Sequence, residues 1–550
     1  MGLGLGFCFV PSYKAMPSSM ANPNLKRLLL RALLIVAAGC WVFAPALRGD
    51  WLMDDDLYLT QNALVNDPAR LWKIWFVPGS LIEYYPIEAS AQAIQWHFWH
   101  MDTLGYHLTN LILHVIGALL VWRLLAKFGL RLAWLGGFLF AIHPAVVESV
   151  AWISELKNTL SLPFFLLSMC AWIDYEERGR LRDYFPALGL FVVAMLCKIS
   201  MALFPLVILL YAWWKRGRIG WSDLKASAPF FAVSLVLGLT TILAGNWFRE
   251  AHLQSAANPQ IGGFLVHLAL AGWSLAFYFS KCVWPVGMLP IYPKWPVDPH
   301  SLVSFLPWPV LGGVICWLWT KRASWGRHAL LGFGFFLINL LPFIGFNSVT
   351  YMGFTWVMDH FLYLPLIGLI GLAIAALEGI EGRISGDRRP WLAGMTAVVL
   401  ALLAWESHDY AEIFIGPEKL WGYTVAHNPT SWLAHNNLGN VLLETGRVPE
   451  AIEQYEIALQ LNPNMVEAHG NLGLALEQTG RTPEAIEQYE QALKLNPHFV
   501  ITLVNLGNAL SREGRVQEAI ENYELALEIN PRDSETRANL TKLKARQKTP

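Results

Sequence analysis

Three aspartates stand in a row at Asp54-Asp55-Asp56, directly after the first long apolar run. Adjacent carboxylates repel unless a cation, a donor or a raised pKa relieves them. Such a triplet therefore either handles protons or forms a solvated acidic turn that caps a helix. Further ionisable groups fall between later apolar runs. Glu148, Glu155 and Lys157 follow His143-Pro144, Lys198 lies in a short connection, and Tyr292-Pro293-Lys294 and Asp359-His360 occupy two later ones. Ionisable residues at membrane depth are costly and by default suggest function. Carboxylates and amines together form a set that can move a proton and hold an anion.

The elements that must position them are membrane helices. The chain has 550 residues, 55% hydrophobic and 15% charged, too apolar for an ordinary soluble protein. Its 26 Trp fit interfacial belts. The near-zero net charge leaves no electrostatic footprint for nucleic acid. Six cysteines (Cys8, Cys40, Cys170, Cys197, Cys282, Cys316) have neither disulfide-framework nor zinc spacing and read as buried thiols. His107 and His114 are two helical turns apart, too far for a local chelate pair, and read as interhelical hydrogen bonds. His143-Pro144 reads as a helix end.

A crossing needs about 20 apolar residues. Candidate runs lie near 28–47, 105–125, 131–147, 158–174, 184–197, 200–214, 227–246, 262–283, 303–320, 328–347, 358–377 and 390–406. The first reads as a retained helix, not a cleaved signal, behind an N-terminal tail, 1–27. Basic residues cluster at Arg123/Lys127/Arg131, Arg178/Arg180/Arg182, Lys215/Arg216/Arg218/Lys225, Lys321/Arg322/Arg327 and Arg383/Arg388/Arg389. The positive-inside rule places these in the cytoplasm. The connections at 247–261 and 284–302 then both lie outside, so 262–283 reads as re-entrant or interfacial, buried against protein. About 11 crossings follow, and the chain after 406 emerges outside the cytoplasm. Trp72, Trp75, Trp96 and Trp99 in the first outer loop belong to amphipathic stretches suited to the headgroup plane.

The last part of the chain repeats. Asn-Pro recurs at Asn428-Pro429, Asn462-Pro463, Asn496-Pro497 and Asn530-Pro531, 34 residues apart each time. Asn437-Leu438-Gly439, Gly446-Arg447, Glu450-Ala451-Ile452, Tyr455 and Ala458-Leu459 return twice more at that step. This helix-turn-helix period is the tetratricopeptide signature. Three repeats occupy 430–531, after a linker at 407–429 and before a capping helix and tail at 532–550. From Thr430 onward, 11 Lys/Arg face 16 Asp/Glu, which again excludes nucleic acid. Most repeated positions are packing. The amides of Asn437, Asn471 and Asn505 recur where each first helix should face the concave groove. They either bind the backbone of a protein acceptor or stabilise each helix pair locally.

The body, 28–406, resembles the GT-C glycosyltransferases, and the whole chain resembles the transmembrane-and-TPR O-mannosyltransferases and their bacterial relatives. The resemblance rests on Trp51-Leu52-Met53-Asp54-Asp55 with Asn62, Gly105-Tyr106-His107-Leu108-Thr109-Asn110 with His114, and His143-Pro144. It continues through Glu148-Ser149-Val150-Ala151-Trp152, Glu155-x-Lys157, Cys197-Lys198, Trp284-Pro285, Tyr292-Pro293 and Asp359-x-x-x-Tyr363-Leu364-Pro365. Two positions depart from it: Asn158 stands where bacterial members have Asp, and His360 where Arg is usual.

The resemblance implies an all-α fold, a polytopic GT-C-like bundle followed by an α-solenoid, in a multi-pass membrane protein of the bacterial inner membrane with extracytoplasmic repeats. It implies transfer of a sugar, mannose in the named family, from a polyprenyl-phosphate carrier to protein Ser/Thr hydroxyls. Asp55 is then the expected base, with Asp54 its nearest rival. Lys198 and His360 are expected at the lipid phosphate, with Tyr292 lining that site. Glu148, Glu155 and Lys157 either shape the sugar pocket or form an ion-pair network. A divalent metal at Asp54–Asp56 is compatible with the triplet, but no spacing demands one. The partners are the lipid-linked sugar, membrane lipids and a protein acceptor. The competing class is a non-catalytic membrane anchor whose repeats scaffold an extracytoplasmic assembly; it has no need of ionisable groups at the bilayer edge.

Overall fold

The computed structural model describes residues 25–77, 79–252, 261–346 and 349–548. Cys8 and most of the expected N-terminal tail lie outside them. Every regular element among the described residues is helical. The chain divides into two compact units, one of Met1–Pro290 with Lys294–Gly416, the other of Ile291–Pro293 with Pro417–Pro550.

In the first unit each of the twelve apolar runs carries a helix. They are α1 (Leu25–Phe43), α3 (Thr103–Lys127), α4 (Ala133–Ile142), α5 (Leu156–Arg178), α6 (Leu181–Cys197), α7 (Phe204–Arg216), α8 (Trp221–His252), α9 (Phe264–Val283), α10 (Pro307–Thr320), α11 (Gly326–Leu340), α12 (Leu366–Glu381) and α13 (Arg389–Glu412). An additional helix, α2 (Pro86–Trp99), precedes α3. By length and composition, eight helices among the described residues suffice to cross a membrane, or nine if the bent pair Ala133–Ile142 and Pro144–Ala151 is one span.

Contacts at the helix ends define two faces. On one, Lys127 pairs with Asp174 at 2.9 Å, Arg131 with Glu381 at 2.9 Å, and Arg216 with Glu176 and Asp223. Arg31 lies over Trp134, Trp319 stacks on Trp213, and Trp214 meets His328 on the same face. The opposite ends of these helices meet residues 49–55, 143–158, 343–363 and 407–415. Trp41 of α1 stacks on His408 of α13, Asp50 N–H donates to the Ile415 carbonyl, and Tyr410 O–H donates to Asp359.

Helix α9 touches residues of this second face near both of its ends. Near its start His267 meets the Gly345 carbonyl at 2.6 Å, and near its end His143 meets the Cys282 carbonyl at 3.1 Å. Both partners belong to the second face. By length and composition α9 is among the helices that suffice to cross a membrane.

Aromatic packing fixes the helices behind the site. Phe165, Phe191, Phe204 and Phe230 bring α5, α6, α7 and α8 together with ring centroids 5.1–5.6 Å apart. Such pairs add about 0.5–1.5 kcal/mol each beyond area burial. Small residues allow backbones to approach: a Cβ on Gly368 would lie 2.3 Å from the Gly332 carbonyl oxygen, where α12 crosses α11. Cys170, Cys197 and Cys282 are buried as expected, but Cys40 and Cys316 are exposed. On a membrane helix, lipid-facing and core positions are both apolar, so sequence does not separate them.

The second unit stacks helices in pairs: α15 (Trp432–Glu444) with α16 (Val448–Leu461), α17 (Val466–Gln478) with α18 (Thr482–Leu495), and α19 (Val500–Arg512) with α20 (Val516–Ile529). The helix Ser534–Lys548, α21, caps the end. The period has a steric cause. A Cβ on Gly439, Gly473 or Gly507 would lie 2.5–2.7 Å from the ring of Tyr455, Tyr489 or Tyr523. Gly446, Gly480 and Gly514 take φ of 78–79° to turn the chain between helices. The stretch 407–429, expected as a linker, is instead largely helical: α13 runs through Glu412, and Pro417–His427 forms α14, packed on α15.

Candidate active site

The second face of the bundle gathers charged side chains from four segments. The turn after α1 supplies the aspartates. Met53 adopts φ 47°, a left-handed conformation that costs a non-glycine residue energy and clusters at functional sites. The turn sends its neighbours to different places. Asp55 is 1% exposed, and its two oxygens accept from Leu52 N–H and Ser154 N–H, each at 2.8 Å. It staples the first turn to the segment before α5. Burial pushes its carboxyl up to about 7 against those two donors. Asp56 is exposed and accepts from Thr60 O–H. Asp54 is the other solvent-reached member, although protein surrounds it on most sides. Burial holds its carboxyl above the usual range, Lys157 opposes the shift, and Glu155 and Glu83 add to it.

The three carboxylates therefore do not converge. Among the described residues no group of three or more His, Cys, Asp or Glu is arranged to hold a metal. The divalent ion compatible with the triplet in sequence finds no ligand set there.

Beyond Asp54 lies a connected polar layer. Glu148 is fully buried and clamps His360 from both sides: His360 N–H donates to Oε2 at 3.1 Å, and Nδ1 lies 2.9 Å from Oε1. Glu155 receives Lys157 Nζ at 3.4 Å and Lys198 Nζ at 3.9 Å, with His360 Nε2 4.0 Å away. Lys198 is 5% exposed. It caps α6 in an extended conformation (φ −160°, ψ 127°), which turns the chain before α7. Its Nζ donates to Asn158 Oδ1 at 2.5 Å and stands 5.9 Å from the Phe343 ring centroid.

Asn158 was legible only as a departure from the family pattern, yet it is the hub of this layer. Its Nδ2 is directed at Glu155, at Ser149 Oγ (3.1 Å) and at the His360 carbonyl (3.3 Å), while its oxygen takes Lys198. An amide serves both neighbours because it donates to the carboxylate and accepts from the ammonium. Glu83, which belongs to none of the motifs, also reaches the layer, 3.4 Å from Lys157.

The expected residues Asp54, Asp55, Glu148, Glu155, Lys157, Lys198 and His360 thus meet on one face. Tyr292 is buried and falls in the second unit. His114 makes the expected interhelical bonds, to Tyr363 O–H at 2.9 Å and the Ala141 carbonyl at 3.2 Å. His107 packs against Gly49, and both ring nitrogens lack a well-formed partner among the described residues. His143 accepts from Ala145 N–H and ends α4, as its proline predicts.

In the second unit, Asn437, Asn471 and Asn505 are each half-buried. Asn471 donates to Asn436 at 3.2 Å and to Asn440 at 2.9 Å, one repeat back. Asn437 accepts from Asn436 at 3.1 Å. Part of the ladder therefore ties adjacent repeats together.

A family model described as "Dolichyl-phosphate-mannose-protein mannosyltransferase" matches residues 94–244, and one described as "Tetratricopeptide repeat" matches 418–466, 436–498 and 471–534. Protein O-mannosyl-transferase TMTC1 of Homo sapiens is 25% identical over 490 residues, covering 78% of this chain and 55% of that protein. Protein O-mannosyl-transferase TMTC4 of Homo sapiens is 24% identical over 512 residues, covering 80% and 67%. Protein O-mannosyl-transferase Tmtc3 of Drosophila melanogaster is 22% identical over 456 residues, covering 69% and 48%. The chain spans about half to two thirds of the length of these curated relatives.

Proposed function

A multi-pass membrane body joined to tetratricopeptide repeats makes this chain similar to the TMTC O-mannosyltransferases, and we propose that it moves a sugar, mannose by that likeness, from a polyprenyl-phosphate carrier to Ser/Thr hydroxyls of proteins. Asp54 takes the proton of the acceptor hydroxyl as its oxygen attacks the anomeric carbon. Lys198, His360 and Lys157 stabilise the phosphate that leaves with the lipid. Glu148, Glu155 and Asn158 hold those cationic and imidazole groups in place. Asp55 orients Asp54 through its two backbone bonds. The repeats bind the acceptor, using the amide edges of Asn437, Asn471 and Asn505 that Asn436 and Asn440 do not engage. The site and the repeats lie on the extracytoplasmic side, because the basic connections belong to the face opposite the site and α13 ends at Glu412, beside residues of the site's face.

One observation carries this reading: a solvent-reached carboxylate, Asp54, lies in the field of Lys157 and His360, within a layer that also holds Lys198. A base with an accessible lone pair beside cationic groups is what hydroxyl attack on a sugar phosphate requires. Glycoproteomics of host cells with the chain, without it, and with Asp54→Asn is the test. Ser/Thr hexoses that depend on the chain and vanish with Asp54→Asn support the reading. Identical glycoproteomes in all three contradict it.

A further inference from the structure

Glu83 reaches the active layer from outside every motif. It lies in the irregular segment 79–85 ahead of α2. Its Oε2 is 3.4 Å from Lys157 Nζ and accepts from Tyr58 O–H at 3.4 Å; its Oε1 accepts from Tyr85 O–H at 3.2 Å. Lys157 is thereby suspended between two carboxylates, 3.4 Å from Glu83 and 3.4 Å from Glu155, with its ammonium 5.1 Å from the Tyr58 ring centroid. Tyr58 follows Asp54 by one helical turn, and its N–H donates to the Asp54 carbonyl at 3.0 Å. The segment is itself held. Tyr84 O–H donates to the Trp75 carbonyl at 3.0 Å, Leu81 and Tyr85 are buried, and Gly79 packs so closely on Trp247 of α8 that a Cβ would lie 2.9 Å away.

We propose that Glu83 is a positioning residue for Asp54: it holds Lys157 midway between itself and Glu155, so that the ammonium does not collapse into a pair with Asp54 and weaken it as a base. The proposal rests on the reading of Asp54 as the base. The charged groups that face Asp54 are Lys157, Glu155, Glu83 and His360. Removing Glu83 deletes one negative charge and frees Lys157, and both changes make Asp54 easier to ionise and poorer at taking a proton. Glu83 is 36% exposed; it acts on Asp54 directly through its charge and indirectly by holding Lys157.

The test is the pH profile of kcat/KM for the purified full chain, with a polyprenyl-phosphate-linked mannose and a protein acceptor, in wild type, Glu83→Gln, Glu83→Asp and Asp54→Asn. In Glu83→Gln the acid limb is expected to move to lower pH, by about one unit or less because solvent screens a charge this exposed. The plateau should fall several-fold. Glu83→Asp keeps the charge and should keep the wild-type limb. A Glu83→Gln limb that coincides with wild type, with only the plateau lowered, makes Glu83 a structural contact and overturns the proposal. If Glu83→Gln does not fold, Tyr58→Phe decides: it keeps every charge, so its limb must stay, and a shifted limb refutes the mechanism. Equal transfer by wild type and Asp54→Asn would sink the reading of Asp54 itself, independently of Glu83.

Discussion

Asp54 and Asp55 are neighbours with the same side chain, and the structure assigns them opposite fates. Replacing each by Asn separates a chemical role from a structural one. Asp54→Asn removes an accessible carboxylate whose side chain makes no hydrogen bond among the described residues. Loss of a general base costs about 10²–10⁴-fold in rate, equivalent to about 3–5 kcal/mol of barrier. Stability should be almost unchanged. Asp55→Asn alters a group whose two oxygens each accept a backbone N–H at 2.8 Å. The amide offers one oxygen, so one of the two N–H groups faces an NH₂ and loses its partner, at about 1–3 kcal/mol. The unfolding midpoint should therefore drop, while transfer per folded molecule falls less than in Asp54→Asn. The assay pairs thermal unfolding in detergent with transfer rates normalised to the monodisperse fraction. A folded, inactive Asp55→Asn beside a fully active Asp54→Asn would refute the division and return Asp55 to the role the sequence first suggested.

The raised carboxyl of Asp54 makes transfer increase with pH, with an acid limb above the ordinary carboxylate range; a rate already level at pH 4–5 would contradict it. Asp55 gives the opposite sign in stability. Its carboxyl is raised in the fold to about 7 from 3.8, so the stability it contributes is complete below 3.8 and is lost as pH rises through about 7. Asp55→Asn should flatten that slope in the unfolding midpoint. Gly473→Ala puts a Cβ 2.5 Å from the Tyr489 ring and should destabilise the central repeat by about 1–3 kcal/mol, read as faster amide exchange in α17 and α18; unchanged exchange would mean the ring yields freely. Changing Asn437, Asn471 and Asn505 together to Ala should weaken transfer to a protein acceptor while sparing a short peptide at high concentration. Equal loss for both acceptors would show that the ladder does not select acceptors.

The helices were legible because membrane solvent imposes a simple rule, about 20 apolar residues per crossing, and the repeats because a glycine must face a tyrosine ring every 34 residues. Other features lacked a local signal. Nothing periodic encodes the left-handed turn at Met53, so which aspartate faces solvent was invisible. Asn158 and Glu83 act through partners 40 and 74 residues away, and no spacing rule joins such distant positions. The helix at Pro417–His427 lies ahead of the first full repeat, where the stretch 407–429 carries no complete copy of the motif.

The central claim is that this chain transfers sugar, and reconstitution tests it most directly. The purified chain in lipid vesicles is given a polyprenyl-phosphate-linked mannose and a folded protein acceptor, and the acceptor's intact mass is followed with time. The account predicts stepwise gain of single hexoses on Ser or Thr, dependent on Asp54 and on the lipid-linked donor. A folded wild-type chain that binds the acceptor through its repeats but leaves its mass unchanged, with donor and acceptor in excess, would contradict it and favour a membrane-anchored scaffold.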